Sequence, residues 1–381
     1  MAKIKNIFIV CGEPSGDLLA GNLAGAIKSL NPEVKISGVG GAYLAKAGAE
    51  IFYNIKELSV MGFFDVLKKL PKFFKLKKAI LNKIGADKSD CLILVDFSGF
   101  NLRLARAVNK RIPVIYYVSP QVWASREGRV NCLKKFISII IVLFKFEEEF
   151  YKKHNIQTYY AGHPLIDLTV PSTNGDDFLK NSGIDSSRKI VALLPGSRKQ
   201  EIKLILPLML KAAQIINQAI PQTQFIIAKA ANLDMQIYQN ICKGSGLDLK
   251  IVEGKTYDCL NAAQASMVCS GTATLEAAII QKPFVIAYKT NPFNYLLYRP
   301  QVKIPYIGMV NIVAGKVVVP EFIQFDARPE TIAASMIELL QNPLSAGRMS
   351  QDLKTVKESL GQPGAAQRAA QLILNFLQNK K

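Results

Sequence analysis

Short polar loops that follow apolar runs are the residues of this chain best suited to chemistry. The first, Gly12–Asp17, reads GEPSGD and carries two carboxylates, Glu13 and Asp17. Its glycines and proline allow a tight turn at a helix start, where backbone amides can bind an anion or a hydroxyl group. Ser15 and Gly16 complete this candidate site. The alternative is an ordinary strand–helix turn that is capped by Ser15.

A second loop, Asp96–Asn101 (DFSGFN), follows the apolar run Leu92–Val95. A carboxylate at the end of a buried strand is partly desolvated, which suits a general base. Asp96 is therefore the leading candidate for proton transfer, and Asn101 lies in the same loop. The alternative is that Asp96 caps the next helix, which is a common role for aspartate.

The segment 117–129 combines the one tryptophan of the chain with polar side chains that could bind a sugar. An aromatic ring can pack on a sugar face while neighbouring groups hydrogen-bond to the hydroxyls. The candidates are Ser119, Gln121, Trp123, Arg126 and Arg129. The alternative is a tryptophan that only packs at the corner between a strand and a helix.

Two glycine-containing turns in the second half of the chain could hold phosphate. One follows Ile190–Leu194 and contains Ser197, Arg198 and Glu201. The other follows the apolar run that ends at Cys269, and its candidates are Ser270, Gly271, Thr272, Thr274 and Glu276. Amides at a helix start, hydroxyls and a guanidinium bind phosphate, and a glutamate can accept from ribose hydroxyls. Taken singly, each turn is explained equally well as a structural one.

Residues 63–80 form the most basic segment, with six lysines and one acid among aromatic side chains. This pattern indicates an amphipathic helix on an anionic membrane surface. The contacts would come from Phe63, Phe64, Leu67, Lys68, Lys69, Lys72, Phe73, Phe74 and Lys75. Pro71 predicts a kink or two short helices. The alternatives are a helix that covers its sheet with a solvated lysine face, and a nucleic-acid contact that no fold signature supports.

Apolar runs of strand length alternate with amphipathic stretches along the chain and must position these loops. Continuous hydrophobicity is typical of parallel strands that are buried on both faces. The pattern predicts an α/β protein with two Rossmann-like, doubly wound parallel sheets facing across a cleft. The predicted parts are a first domain over 1–168, a polar linker over 169–187, a second domain over 188–342, and C-terminal helices over 343–381 that pack back on the first domain or on a partner subunit.

The composition excludes some classes of protein and indicates the charge of the partner. The 381 residues carry 48 Lys and Arg against 29 Asp and Glu, a formal net charge of +19, and 49% of them are apolar. The apolar fraction excludes a disordered basic chain, and the charge indicates an anionic partner. Six scattered cysteines predict reduced thiols in a cytoplasmic protein, and two histidines exclude a His-rich metal site. Neither a signal peptide nor a membrane-spanning segment is predicted.

A metal clamp for a nucleotide sugar is also not predicted. Asp-x-Asp, the usual carboxylate pair for a metal-bound nucleotide sugar, does not occur in the sequence. We therefore expect no metal and no cofactor, and a leaving diphosphate that is stabilised by arginine and helix dipoles.

Taken together, these strings resemble the lipid-A-disaccharide synthase family, which is glycosyltransferase family 19 and has the GT-B fold. The strings are GEPSGD (12–17), VMG (60–62), VDFSGFN (95–101), YVSPQVWASREGR (117–129), AGHPL (161–165), LLPGSR with Glu201 (193–201), SGTATLEAA (270–278) and VVPEFIQ (318–324). Two positions differ from the family pattern. Ser125 stands where Trp is common, and Met309-Val310-Asn311 stands where Leu-Pro-Asn is usual.

The resemblance implies an inverting transfer of 2,3-diacylglucosamine from UDP-2,3-diacylglucosamine to 2,3-diacylglucosamine 1-phosphate. The products would be the β-1,6-linked lipid A disaccharide 1-phosphate and UDP. Asp96 would be the catalytic base, with Glu13 or Asp17 assisting it. The first domain would hold the acceptor and the second the UDP-sugar. The acceptor side would add Met61 and His163, and the donor side would add Asn311, Glu321 and Gln324.

The resemblance also implies a cytoplasmic protein on the inner face of the inner membrane of a Gram-negative cell, held there through residues 63–80. Homodimers would form through the C-terminal helices, and nucleic acid would not be a partner. Three alternatives remain open. They are a UDP-N-acetylglucosamine 2-epimerase or a peptidoglycan-type N-acetylglucosaminyltransferase on the same scaffold, and a membrane-binding scaffold without catalysis.

Overall fold

The structure is a computed structural model that describes residues 4–58, 63–125, 127–302 and 304–380. The side chains of residues 63–70, 294, 297 and 298 lie outside the description. The strands are β1 (Asn6–Val10), β2 (Lys35–Gly40), β3 (Glu50–Asn54), β4 (Cys91–Val95), β5 (Val114–Tyr117), β6 (Ile139–Val142), β7 (Thr158–Tyr160), β8 (Ile190–Leu194), β9 (Gln224–Lys229), β10 (Leu249–Glu253), β11 (Ala265–Cys269), β12 (Phe284–Tyr288) and β13 (Glu321–Ile323).

Helices connect these strands. They are α1 (Pro14–Leu30), α2 (Ala42–Lys46), α3 (Phe63–Ala86), α4 (Ser98–Val108), α5 (Val130–Phe136), α6 (Lys145–Lys153), α7 (Leu165–Leu168), α8 (Gly175–Asn181), α9 (Lys199–Ala219), α10 (Met235–Cys242), α11 (Thr256–Ala262), α12 (Ala273–Ile280), α13 (Pro292–Tyr298), α14 (Met309–Ala314), α15 (Pro329–Gln341), α16 (Pro343–Ser359) and α17 (Ala365–Asn379). Short 3-10 turns cover Ile55–Leu58, Glu127–Arg129 and Arg299–Gln301.

Within the described residues, the first sheet has seven parallel strands in the order β3-β2-β1-β4-β5-β6-β7. Its middle strands are apolar along their whole length, and every residue of β4 and β5 is buried. Because helices cover both faces of such a sheet, its central strands cannot alternate between polar and apolar residues. The chain runs outward from β1 to β3 and then returns beside β1 as β4, so the switch point lies between β1 and β4.

The second sheet repeats this plan with six described strands in the order β10-β9-β8-β11-β12-β13, all parallel. Its switch point lies between β8 and β11, and every residue of these two strands is buried. The expected α/β class with two doubly wound parallel sheets is therefore confirmed. In open sheets of this kind, ligands bind at the carboxyl ends of the strands beside the switch point.

The chain divides into two compact units. The first unit comprises Met1–Asp167, Gln301–Lys303 and Leu360–Lys381, and the second comprises Leu168–Pro300 and Ile304–Ser359. The two C-terminal helices, which the sequence analysis grouped together, lie in different units. In the second unit α16 packs against α12 and α15, whereas α17 packs against α1 in the first.

The return of α17 to the first unit is held by polar contacts as well as by packing. The backbone N–H of Gly364 donates to both carboxylate oxygens of Asp167, at 2.9 and 3.0 Å. The guanidinium of Arg368 donates to the carbonyl of Ala161 at 2.9 Å. The buried stripe of α17 consists of Ala365, Ala366, Ala369, Ala370, Ile373, Leu374 and Leu377. This apolar face is therefore covered within one chain, where it packs against α1.

Pro71 predicted a kink or two short helices, and the prediction of two short helices is wrong. Helix α3 runs as one helix from Phe63 to Ala86 with Pro71 inside it. Proline removes only one backbone donor, and its cost can be offset by packing of the rest of the helix. That packing comes from the buried side chains Leu76, Ile80 and Ile84, which follow helical spacing.

Among the described residues, no helix is both long and apolar enough to cross a bilayer.

Candidate active site

The loop after β4 carries unusual backbone geometry at Asp96. Asp96 and Phe97 have φ values of 47° and 45°, and Val118, after the adjacent strand β5, has φ 60°. Left-handed backbone is uncommon for residues other than glycine and strained for a β-branched residue. The N–H of Asp96 donates to the carbonyl of Val118 at 3.2 Å, which couples the two strained turns. Such strain is typical of sites where a side chain must be held in a particular orientation.

Two buried side chains hold the carbonyl of Asp96. The amide of Asn101, which is fully buried, donates to the carbonyl of Asp96 at 2.8 Å and also reaches those of Val95 and Val10, at 3.3 and 3.4 Å. The hydroxyl of Tyr116 donates to the carbonyl of Asp96 at 2.6 Å. Asn101 therefore lies among the ends of β1 and β4, and its amide positions Asp96.

The loop after β1 lies against the Asp96 loop. A side chain at Gly12 would overlap the ring of Phe97, and a Cβ placed on Gly16 would lie 3.8 Å from the Cβ of Asp96. Gly12 therefore needs glycine for the two loops to approach, whereas a Cβ on Gly16 would make ordinary van der Waals contact. The structure thus brings together two of the predicted sites, GEPSGD and the Asp96 loop, at the switch point of the first sheet.

Asp17 makes contacts that differ from its predicted role beside the catalytic base. Its side chain is 2% exposed and accepts from the N–H groups of Gly41, Tyr43 and Leu44 at 2.7, 3.0 and 3.2 Å. A carboxylate at a helix start with three such donors stabilises the helix. We therefore assign Asp17 to holding the start of α2, and Glu13, a half-buried residue that precedes α1, remains the candidate assistant.

Glu147 is a site residue that the sequence analysis missed. Its carboxylate accepts from the indole N–H of Trp123 at 3.1 Å, from the hydroxyl of Ser119 at 3.3 Å and from the N–H of Phe144 at 3.3 Å. The Trp123 ring also packs edge-on against Phe146, with centroids 4.9 Å apart. Glu147 lies in a Glu-Glu-Glu run, which offered no local signal that one of the three is buried.

Burial raises the pKa of Glu147 to about 7, and the bonds from Trp123, Phe144 and Ser119 oppose that rise. The folded state then binds more protons than the unfolded state between about pH 4.5 and 7, so the free energy of unfolding should fall as pH rises through this window. The fall should be about 3 kcal/mol. The side chain introduced by Glu147→Gln does not titrate. The difference in the free energy of unfolding between wild type and this variant should therefore change by about 3 kcal/mol from pH 4.5 to pH 7.

Urea unfolding at a series of pH values, followed by the fluorescence of Trp123, measures this difference in the unit that contains Glu147. Glu149→Gln, an exposed position on the same helix, is the matched control and should keep the wild-type slope. Parallel stability curves for wild type and Glu147→Gln would contradict the assignment.

His163, expected on the acceptor side, is buried in the first unit. It is 4% exposed, and its Nδ1 accepts from the N–H of Leu165 at 3.2 Å. Its ring packs against that of Phe144, with centroids 5.1 Å apart. Burial lowers its pKa to about 3, so the ring is neutral at pH 7. These contacts give His163 a role in packing the loop after β7.

The remaining acceptor candidates are only partly described. Arg129 donates to the hydroxyl of Ser98 at 3.3 Å, beside the start of α4, and Gln121 is exposed. Met61 and Arg126 lie outside the described residues, as do the side chains of Phe63, Phe64, Leu67, Lys68 and Lys69.

The first turn of the second unit differs from the expected phosphate cradle. One carboxylate oxygen of Glu201 accepts from the N–H groups of Ser197 and Arg198 at 3.0 and 3.1 Å, and the other accepts from the Arg198 guanidinium at 2.7 Å. Gly196, with φ 112°, has no room for a side chain beside this carboxylate. Glu201 therefore occupies the amides that were predicted to bind phosphate, and the exposed Ser197 hydroxyl and Arg198 guanidinium carry the remaining donors.

In the second turn, after β11, two hydroxyl groups bond to backbone carbonyls, and the start of α12 is exposed. The hydroxyl of Thr274 donates to the carbonyl of Gly271 at 2.9 Å, and that of Ser270 donates to the carbonyl of Ile307 at 3.2 Å. Gly271 and Thr272 are exposed at the start of α12, and a side chain on Gly271 would meet no neighbour within 4 Å. The exposed helix start is therefore the part of this turn that could approach an anion.

Glu276 lies one turn into α12. It accepts from the hydroxyl of Tyr257 at 3.1 Å, and burial raises its pKa.

The two turns of the second unit are electrostatic neighbours. Burial is the main cause of the raised pKa of both Cys269 and Tyr288; the Glu201 carboxylate adds to this rise, and the Arg198 guanidinium opposes it.

Asn311, Glu321 and Gln324 hold loops in the second unit. Asn311 donates to the carbonyl of Val319 and to Glu321, at 2.7 and 2.8 Å, and accepts from the N–H groups of Val318 and Val319. Glu321 accepts from the N–H groups of residues 307 and 308, at 2.9 and 3.0 Å. Every hydrogen-bonding position of the Asn311 amide is thus used. We assign Asn311 and Glu321 to positioning the loop before α14, whereas Gln324 bonds to Thr290 before α13.

A groove of about 570 Å³ lies elsewhere in the second unit. Its lining includes Ser186, Gln264 and Lys282, which precede β8, β11 and β12. The groove therefore lies at the amino ends of the strands, whereas the two turns follow their carboxyl ends. It does not coincide with the candidate donor site.

Comparison with known proteins assigns the chain to a family. The sequence model of the lipid-A-disaccharide synthetase family matches residues 7–376. The chain belongs to this family. The lipid-A-disaccharide synthase of Syntrophus aciditrophicus is 38% identical over 375 residues, which are 98% of each chain. That of Coxiella burnetii is 36% identical over 374 residues, which are 98% of this chain and 99% of the relative.

Family membership confirms the class of activity that the resemblance implied. The chain is a glycosyltransferase of lipid A disaccharide synthesis. Solved structures show the same fold at low sequence identity. The S. aureus MnaA–UDP co-structure has a TM-score of 0.66 at 13% identity, over 99% of this chain and 97% of that one. The UDP-GlcNAc 2-epimerase of Neisseria meningitidis has a TM-score of 0.62 at 12% identity, over 98% and 99%. These likenesses support the GT-B fold for the two sheets.

Proposed function

We propose that the protein transfers 2,3-diacylglucosamine from UDP-2,3-diacylglucosamine to the 6-hydroxyl of 2,3-diacylglucosamine 1-phosphate. The observation that carries this proposal is the braced Asp96 at the switch point of the first sheet, in a chain of this family. The products are the β-1,6-linked disaccharide 1-phosphate and UDP.

Asp96 acts as the general base in this proposal. It takes the proton from the acceptor 6-hydroxyl, and the oxygen attacks the anomeric carbon of the donor as the bond from that carbon to the diphosphate oxygen breaks. In-line attack inverts the configuration. The bonds from Asn101 and Tyr116 to the Asp96 carbonyl support this role, because a base must be held within hydrogen-bond reach of its proton.

The second unit binds UDP in this proposal. The negative charge that develops on the leaving diphosphate meets the guanidinium of Arg198, the hydroxyl of Ser197 and the exposed start of α12. Glu276 accepts from the ribose hydroxyls. Glu201 does not contact the donor, and it fixes the turn from which Arg198 projects.

Measurement of UDP release distinguishes this function from its rivals. With UDP-2,3-diacylglucosamine, release should require the acylated acceptor, and a tetraacylated disaccharide 1-phosphate should form in equal amount. An epimerase would act on UDP-N-acetylglucosamine without an acceptor. A peptidoglycan-type transferase would use a different acceptor, and a scaffold would release no UDP. Acceptor-independent release, or none, would overturn the proposal.

We further propose that α3 binds an anionic membrane surface. In the described part of this helix, Phe74 is 60% exposed and Lys75 and Lys78 are exposed. Two other predicted contacts are used within the unit. The ring of Phe73 packs against those of Phe97 and Phe100, with centroids 6.1 and 5.9 Å apart. The ammonium of Lys72 donates to the carbonyl of Glu57 at 3.1 Å.

Charge reversal of α3 tests this membrane contact. Lys75→Glu with Lys78→Glu should lower partition onto vesicles that contain an anionic lipid by about 30-fold or more, because each lysine near such a surface contributes about 1 kcal/mol and a tenfold change corresponds to about 1.4 kcal/mol. The matched control is Lys152→Glu with Lys153→Glu on α6, where both lysines are exposed and the net charge changes equally. Equal partition of the two double variants in a sedimentation assay would contradict a specific role for α3.

A further inference from the structure

A cluster of exposed apolar side chains lies in the second unit, on α13 and after β13. Phe293 and Leu296, three residues apart on α13, are 59% and 65% exposed, and Phe325 is 69% exposed. Tyr295 packs edge-on against Phe325, with ring centroids 6.0 Å apart. We call these four residues the α13 patch. Large apolar side chains that are exposed together are typical of a contact surface, whereas single ones are common on any protein.

Hydrogen bonds brace the α13 patch from behind. Gln324, which is 3% exposed and has φ 52°, immediately precedes Phe325. Its side chain accepts from the N–H of Thr290 and donates to the carbonyl of Thr290, both at 3.1 Å. These bonds tie the loop after β13 to the loop before α13. The exposed rings therefore belong to one ordered surface, and this explains the burial of Gln324 without a contact to the donor.

The charged residues that stand next to the α13 patch in the chain indicate which kind of partner it binds. Between Glu276 and Glu321 the sequence contains no acidic residue. Two cations of this stretch stand next to α13 in the chain, Lys289 before it and Arg299 directly after it. At the other end of the patch the exposed acid Asp326 follows Phe325, and the exposed Arg328 comes two residues later. Exposed aromatic and aliphatic side chains beside more cations than acids fit the interface of an anionic lipid leaflet.

We propose that the α13 patch is a second membrane-contacting surface, located on the unit that binds UDP. Its apolar side chains enter the boundary between headgroups and acyl chains, and the cations meet lipid phosphates. The inference rests on the membrane part of the proposed function and adds a second contact to it. The UDP-binding unit would then be held at the leaflet that supplies its acylated donor, independently of α3.

The test is partition of the full chain onto phosphatidylglycerol–phosphatidylethanolamine vesicles. The triple variant Phe293→Ser, Leu296→Ser, Phe325→Ser should partition at least tenfold more weakly than wild type and should keep its affinity for UDP. The matched control is Val170→Ser, Leu204→Ser, Leu344→Ser, which removes three exposed apolar side chains elsewhere in the same unit. The control should partition like wild type.

Each other outcome has a defined meaning. Wild-type partition of the triple variant overturns the α13 patch proposal and leaves the α3 proposal standing. Weak partition of the triple variant, with an α3 double variant that binds normally, supports the patch and overturns the role of α3. Wild-type protein that does not bind the vesicles overturns both, while UDP release still tests catalysis separately. If sedimentation velocity shows that wild type and the control variant form a dimer and the triple variant does not, while all three partition equally onto vesicles, a second copy of the chain occupies the patch. That result overturns the proposal.

Discussion

Asp96→Asn should lower the turnover of disaccharide formation by about 10²–10⁴-fold, the usual contribution of a general base. The amide cannot accept the proton of the 6-hydroxyl, but it has almost the same shape as the carboxylate. The bonds from Asn101 and Tyr116 go to the Asp96 carbonyl and are unaffected by this change. Affinity for UDP should therefore stay within about twofold of wild type. Single-turnover kinetics and calorimetric UDP titration measure the two quantities separately.

A matched control for this variant is Asp87→Asn, in the same unit. Asp87 pairs with Lys83 at 3.2 Å after the end of α3 and lies outside the candidate site. It should keep wild-type turnover. Near-wild-type turnover of Asp96→Asn would remove Asp96 as the base and would leave Glu13 as the carboxylate to test next.

Asn101→Leu should lower turnover by about 10²-fold through displacement of Asp96, since a shift of about 1 Å in a reacting group can have this effect. The variant keeps the branched heavy-atom skeleton of the side chain but removes the amide contacts to three carbonyl groups at the ends of β1 and β4. It should also lower the free energy of unfolding by about 1–3 kcal/mol, because buried carbonyls lose their donor. Affinity for UDP should change little, since the donor residues lie in the other unit.

Graded variants separate positioning from general damage. Tyr116→Phe removes one contact to the Asp96 carbonyl and should reduce turnover less than Asn101→Leu does. Asn375→Leu, at an exposed position on α17, should leave both turnover and stability unchanged. If Asn101→Leu lowered stability but kept wild-type turnover, Asn101 would be structural only.

The central strands could be predicted from the sequence because hydrophobicity alone specifies them. β4 and β8 read CLILV and IVALL, and such runs are buried on both faces of a parallel sheet. The strands β3 and β13 were not predicted. They lie at the sheet edges and are mostly half-buried, with the mixed sequences EIFYN and EFI. A short edge strand is covered less completely, so its pattern resembles that of a loop.

The positions of the candidate loops could be predicted, but the partners of their polar side chains could not. Asp17 and Glu201 stood out as acids in loops beside predicted anion sites, yet both bind backbone N–H groups. The partner of Asp17 lies 24 residues away and that of Asn101 up to 91 residues away. Local sequence patterns carry no information about such pairings, because the fold brings the partners together.

The return of α17 to the first unit has a consequence for the order in which the chain can fold during synthesis. The first unit contains β1 and the Asp96 loop, yet its helix α1 is covered by residues that follow the whole second unit in the chain. The second unit can therefore complete its core while the apolar face of α1 is still uncovered. A ribosome that stops near residue 360 would release a chain whose defect lies more than 300 residues upstream, at α1, which packs beside β4, the strand that ends before Asp96.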